Sequence, residues 1–192
     1  VGEASDLIRN GRADLVLTGG VEAIFQDYVL SGFESMEALA MGYEDNPTAA
    51  SRPFDKNRSG FVLGEGAAIF VIESLGHALR RGARIYAEEL GHASSSDAFH
   101  VAALDPEARG AIRSMTWAIQ DAHLSPKDIQ YINAHGTSTA ANDYTETLAI
   151  KRVFGEHAYN IPVNSTKSML GHALGASGAM EIAACVYSLV EQ

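Results

Sequence analysis

A single cysteine, Cys185, stands among the 192 residues, so no disulfide can close within the chain. That economy fits a reducing compartment without requiring one. Basic residues are also few: 14 Lys and Arg face 24 Asp and Glu, for a formal net charge of −10. The electrostatic footprint of a nucleic-acid binder is therefore missing. The one close basic group, Arg80, Arg81 and Arg84, reads as the solvated end of a helix. No apolar run is long enough to span a bilayer, and no secretory signal is visible. There is no initiating methionine either. The opening "VGEASDLIRNG" reads as a helix cut into from upstream, so a fragment of a longer protein is expected.

What the chain does have is apolar content. Hydrophobic residues make up 46% and charged residues 20%, which supports a large core and excludes disorder. Eighteen glycines suggest tightly packed elements and sharp turns. Along the chain, β and α patterns alternate. Residues 1–10 predict a helix ended by Gly11, and "ADLVLTGG" (13–20) a short buried strand. A short helix is expected over 32–41, a loop through Asn46, Pro47 and Pro53, and a strand over 60–75. A helix then runs to Gly82, and "RIYAEELGHASSS" predicts another strand.

Ala108, Ala111, Ile112, Met115, Ala118, Ile119 and Ala122 recur at three- and four-residue spacing, giving a helix over 107–123 that starts at Asp105 and Pro106. "IQYINA" and "IPVNS" read as strands, with a helix over 142–154 between them and a small-residue helix from "ASGAMEI" to residue 192. Alternation of this kind is the mark of an α/β fold with a parallel or mixed sheet. The turn near Gly82 divides the chain into 1–82 and 83–192.

Three stretches are too polar for their surroundings. "NAHGTSTAAND" (133–143) follows a strand and puts His135 at its carboxyl end, where α/β folds place their chemistry. "NSTKSMLGHALGASG" (164–178) follows another and carries Lys167 and His172. "SRPFDKNRSGFVLGEGA" holds Arg52, Asp55, Arg58 and Glu65 among glycines and reads as a structural network. The remaining five histidines, His77, His92, His100, His123 and His157, read as hydrogen-bonded structural residues. Glu146 and Lys167 could be a structural ion pair. A zinc site from His135, His172 and Asp143 matches no common ligand spacing. Gly171, Gly175 and Gly178 suggest a phosphate cradle but fit neither the dinucleotide nor the P-loop pattern. Cys185 lies in an apolar helical stretch and is expected to be buried and inert.

Together "PFDKNRSGFVLGEGA", "NAHGTSTAAND" and "NSTKSMLGHALGASGAMEIAA" resemble the signatures of the β-ketoacyl-acyl carrier protein synthases, over essentially the whole chain. The resemblance implies a thiolase-like α/β fold, with five alternating layers in the full protein and only part of them here. Residues 1–82 would be the end of the first ketosynthase half, and 83–192 the first part of the second. It implies decarboxylative Claisen condensation of acyl and malonyl thioesters in fatty acid elongation. The family's two catalytic histidines fall on His135 and His172, its lysine on Lys167 and that lysine's acidic partner on Glu146. Thr137 and Thr139 match residues lining the pantetheine channel, and Phe33 the acyl pocket.

The family's nucleophilic cysteine would lie just upstream of Val1, so no nucleophile is expected in this chain, and the chain alone is expected to be inactive. No metal and no resident cofactor are implied, because phosphopantetheine arrives on the carrier. Acyl carrier protein is the implied partner, the full protein a homodimer, and the location cytoplasmic or an organellar matrix. "NAHGTST" and "STKSMLGH" favour the discrete fatty-acid type over modular polyketide synthases. A discrete polyketide ketosynthase and a non-condensing chain-length partner subunit share these residues and stay open. Two departures bear on carrier docking: Glu37 stands where bacterial relatives often carry a basic residue, and Ala102 where they often carry a hydroxyl.

In the chemistry so implied, a cysteine thiolate takes the acyl group. Malonyl thioester then loses CO₂ and leaves negative charge on the thioester oxygen. Two imidazole N–H groups aimed at that oxygen act as an oxyanion hole. Lys167 with Glu146 would hold the loop of His172.

Overall fold

The computed structural model describes residues 1–191. Its elements run α1 (Gly2–Arg9), β1 (Leu15–Glu22), α2 (Asp27–Ser35), β2 (Gly66–Glu73), α3 (Leu75–Arg80), α4 (Arg109–Asp121), β3 (Ile132–Asn133), α5 (Ala140–Phe154), β4 (Val163–Asn164), α6 (Lys167–Leu170) and α7 (Ser177–Val190). The architecture is mixed α/β. Two compact units form, each from separated stretches: Val1–Ala23, Glu65–Leu90 and the chain from Ala173 make one, Ile24–Gly64 and Gly91–His172 the other.

In the first unit β1 pairs antiparallel with β2 along its whole length, from Leu15 opposite Glu73 to Glu22 opposite Gly66. Side chains alternate across the pair. Leu15, Leu17, Val21, Ile69 and Val71 lie on one face and are exposed. The turn before α7 and the start of the helix bring Ala176, Ser177 and Ala179 into buried positions. Cys185 lies further along α7 and is half-buried rather than fully buried, because that end of the helix leaves Tyr187 and Leu189 exposed. Gln192, the last residue of the expected helix, lies outside the described residues. Gly175 and Gly178 form no cradle: the Gly175 N–H donates to the Glu22 carboxylate at 3.1 Å, which gives this turn an acceptor of its own.

The second unit holds a core of Ile119, Ile150, Phe154 and Ile161, with Met115, Ile129, Ile132, Val153 and Val163 packed against it. The stripe read from the sequence of α4 thus meets the apolar side of α5 over a short parallel pair, β3 and β4. These strands are shorter than expected, with Ile132 opposite Val163 and Asn133 opposite Asn164. Beyond them the backbone leaves the ladder for side-chain partners, described below.

Three further expectations change. The helix expected at 32–41 lies at Asp27–Ser35, where Asp27 complements the positive end of the helix dipole. Glu37, at φ +52°, then turns the chain away. The strand expected over 60–75 shortens to β2. Phe61 and Leu63 instead make isolated parallel bridges to Leu39 and His172. The strand expected from Arg84 does not form. Ile85, Tyr86 and Leu90 are exposed, and no ladder partner meets them among the described residues, which a strand requires.

Candidate active site

Both histidines of the polar stretches sit in the second unit, and their imidazole centroids are 5.3 Å apart with the rings at 86°. Each is placed by backbone geometry that its neighbours force. The Ala134 N–H donates to the Asn164 carbonyl at 2.7 Å, which extends the β3–β4 ladder by one bond to the threshold of His135. Gly136 follows at φ +40°, and a Cβ there would sit 2.5 Å from the Ser165 Cβ and 3.0 Å from the Phe54 ring. Only glycine tolerates both the left-handed turn and that approach. His172 is laid against the 62–64 strip: its N–H donates to Val62 O at 2.7 Å, and its carbonyl accepts from Gly64 N at 3.0 Å. Gly171, at φ +71°, makes the bend, where a Cβ would meet the Leu63 carbonyl at 2.9 Å.

Charged groups fix the His135 loop. The Glu146 carboxylate accepts from the N–H of His135 at 2.7 Å and of Gly136 at 2.8 Å, and from the Asn142 side chain at 3.2 Å. Lys167 is 2% exposed. Its Nζ donates to the His135 carbonyl at 2.8 Å and lies 3.3 Å from His135 Nδ1. An ammonium only donates. His135 Nδ1 is therefore the acceptor, and its proton sits on Nε2. Glu146 and Lys167 thus hold the loop of His135, because the β3–β4 register sets the start of α6 beside the residue that follows Ala134, and the Lys167 charge also acts on His172.

Both imidazoles are held neutral. The pKa of His135 falls to about 4, first through desolvation and then through the Lys167 charge. His135 as a whole is nonetheless exposed. His172, half-buried, also falls to about 4, through desolvation, Lys167 and His135 in that order. Phe61 supplies apolar surface, its ring 5.2 Å from His172 and edge-on to it. Phe33 meets Phe61 edge-on at 5.3 Å, so it joins the aromatic side of the site at one remove from His172. Thr137 Oγ1 and Thr139 Oγ1 lie 2.9 Å apart, and Thr139 caps α5 by accepting from Asn142 N.

Beneath the loop lies a carboxylate that the sequence had suggested only as a zinc ligand. Asp143 is 2% exposed. Its oxygens accept from Phe54 N at 2.7 Å and Ser138 N at 3.2 Å, and Arg58 Nε lies 3.4 Å away. Arg58 also donates to the carbonyls of Thr139 and Ala140, tying "PFDKNRSG" to the start of α5. The signal was an acidic residue in the first turn of a capped helix. Its partners Phe54 and Arg58, more than 80 residues away in sequence, gave no signal. Ser51, whose hydroxyl donates to Lys167 O at 2.6 Å, was missed for the same reason.

A scaffold of this shape with this loop pair belongs to the ketosynthases. A type II polyketide synthase ketosynthase, solved with its acyl-carrier protein and bound to a hexaketide, superposes with a TM-score of 0.95 at 45% identity, covering 97% of this chain and 46% of that one. A beta-ketoacyl synthase from Burkholderia phymatum gives 0.88 at 40% identity, over 98% of this chain and 44% of the other.

The chain belongs to the beta-ketoacyl synthase family: residues 1–78 match its N-terminal domain and residues 86–192 its C-terminal domain. Among curated relatives, 3-oxoacyl-[acyl-carrier-protein] synthase 2 of Synechocystis is 51% identical over 191 residues, 100% of this chain and 46% of that protein. The ketoacyl synthase alpha subunit of the tetracenomycin polyketide synthase of Streptomyces glaucescens is 48% identical over 98% of this chain and 44% of its own length. The chain therefore spans about half the length of the curated relatives it matches.

Proposed function

We propose that this chain is the histidine-bearing part of a β-ketoacyl-acyl carrier protein synthase that extends fatty acids by decarboxylative condensation. The observation that carries the reading is the pair of imidazoles 5.3 Å apart, with Lys167 Nζ 3.3 Å from His135 Nδ1, an arrangement that leaves the Nε2 side of His135 to donate. When malonyl thioester loses CO₂, the electron pair of the broken C–C bond moves into an enolate whose charge rests on the thioester oxygen. An oxygen placed between the rings accepts N–H bonds from both. Two preorganised donors in a partly dry site stabilise that charge where water would have to reorganise, and one such donor contributes on the order of 3 kcal/mol of barrier lowering. The enolate carbon then attacks the carbonyl of an acyl thioester held on a cysteine, a C–C bond forms, and the thiolate leaves.

That cysteine is supplied from outside these 192 residues. Cys185 is half-buried on α7 and belongs to the other compact unit. Lys167 and Glu146 are positioning residues: they hold the ring and backbone of His135 and take no proton. Thr137, Thr139 and Phe33 line the thioester and acyl sides. Acyl carrier protein delivers both substrates, with phosphopantetheine as its arm and no resident cofactor or metal needed. The complete enzyme is a homodimer in the cytoplasm or an organellar matrix, with the division between its halves near Gly82. Among the described residues, no helix is long and apolar enough to cross a membrane.

A polyketide ketosynthase is the second reading, favoured by the 0.95 TM-score to a polyketide enzyme. The test is to incubate the full-length gene product with acyl- and malonyl-carrier and resolve the products. A single β-ketoacyl extension, abolished by replacing His135 or His172, supports the proposal. Unreduced polyketone chains support the second reading. No C–C bond formation with intact protein overturns both.

A further inference from the structure

Two cavities in the second unit share a wall. The smaller, about 190 Å³, reaches His135, Asn142 and Glu146. The larger, about 500 Å³ and open, lies under residues 95–104 and beside the start of α4. Asp97, Leu104 and Ala111 line both, so the 98–104 turn flanks the approach to His135. The ends of this turn are anchored. Ser95 Oγ donates to Gly110 O at 2.7 Å, Arg113 to Ser96 O at 2.7 Å, and Asp105 N to Asp97 Oδ2 at 3.1 Å. Between the anchors the chain projects, with Val101 98% exposed and Ala98 in the left-handed region at φ +49°.

Inside the turn, His100 Nδ1 accepts from Ala102 N at 3.2 Å and from Ala103 N at 3.1 Å. Two donors converge on one nitrogen, so that nitrogen must carry its lone pair. The charged groups around the turn are engaged elsewhere: Asp97 holds Asp105 N, Arg113 of α4 holds Ser96 O, and Arg109 of α4 pairs with buried Asp105 at 2.6 Å.

We infer that His100 is a positioning residue for the wall of this approach: through Nδ1 it shapes the 98–104 turn only while its imidazole is unprotonated. The inference rests on the condensing reading for what passes along the approach, a carrier-borne thioester, while the state of the turn can be read without any substrate. A proton on Nδ1 would set an N–H against two N–H donors and release both bonds, so the wall loosens on acidification.

The test compares wild-type full-length enzyme with His100→Ala and His100→Asn. Asparagine places Oδ1 where it accepts the same N–H groups in an Asx turn, and it does not titrate. Two readouts are taken at about pH 7.5 and about pH 5: amide exchange of residues 98–104 without substrate, and kcat and KM for the malonyl-carrier. At the higher pH, His100→Ala should raise exchange and KM roughly threefold to tenfold with kcat within about twofold, and His100→Asn should stay near wild type. At the lower pH the wild type should move to the His100→Ala behaviour, and His100→Asn should not. Equal exchange in wild type and His100→Ala at the higher pH overturns the inference, as does a His100→Asn variant that behaves like His100→Ala, or a KM that ignores the state of the turn. Absence of condensation by the wild type would overturn the functional reading alone, and the exchange comparison then decides the role of His100.

Discussion

The two sheets of this chain make opposite use of their length. β1 and β2 pair over eight residues each, with full alternation and an exposed apolar face, yet no group of the site lies on them. β3 and β4 pair over two residues each, and everything chemical follows from where they stop. A ladder fixes backbone and spends its polar groups on itself. Where it ends, N–H and C=O groups must find other partners, and here those partners are Glu146, Lys167, Ser165 and Asp143. The short sheet is held by buried charge, the long one by repetition.

That contrast can be broken residue by residue. The largest effect is expected from Asp143→Ala, which leaves Arg58 and two backbone N–H groups without their carboxylate. Loss of one partner from a buried charge network costs about 3–5 kcal/mol, to be read as a fall in the urea midpoint. Lys167→Met is expected to lower kcat/KM by roughly tenfold to a hundredfold by freeing the His135 ring, a loss in the range of one misplaced oxyanion donor or below it. The same change removes the charge that depresses both histidines, so their pKa values should rise.

The pH dependence has a definite sign. Both histidines titrate near 4 in the folded chain and at about 6.5 when unfolded. Between those values the unfolded state holds more protons, so stability falls as pH drops from about 6.5 to about 4 and levels off below. Urea midpoints of a His135→Gln, His172→Gln variant should fall less across that window than those of the wild type. Glu146→Gln keeps one acceptor and should cost about 1 kcal/mol, read by thermal unfolding. The smallest effect is expected on the long sheet: Leu17→Thr, on the face where Leu17 is 68% exposed, should change the stability of the chain by less than about 0.5 kcal/mol. A large loss there would show that regularity of pairing matters more than buried charge.

Much of this was legible in the sequence, and the failures share a cause. α1, α4, α5 and α7 were readable from periodicity and caps, because those signals are local. His135 and His172 were readable from their place after strands and beside glycines, and from the motifs around them. The contact of Lys167 with the His135 loop was not, since which groups a buried ammonium reaches depends on the β3–β4 register. Asp143 went unread for its role because its acceptors are filled from residues 54 and 138, one of them far away in the chain. The strand expected from Arg84 shows the limit of pattern. Alternating apolar residues predict a strand only where a second strand lies alongside.

The most direct measurement is ¹⁵N NMR of histidine-labelled protein across pH. His135 and His172 should remain neutral at pH 6 and titrate near 4, with the proton of His135 on Nε2 and its Nδ1 showing the shift of an acceptor. Titration of either ring near the ordinary histidine value of about 6.5, or a proton on His135 Nδ1, would contradict the placement of Lys167 and with it the pair of neutral donors on which the condensing mechanism depends.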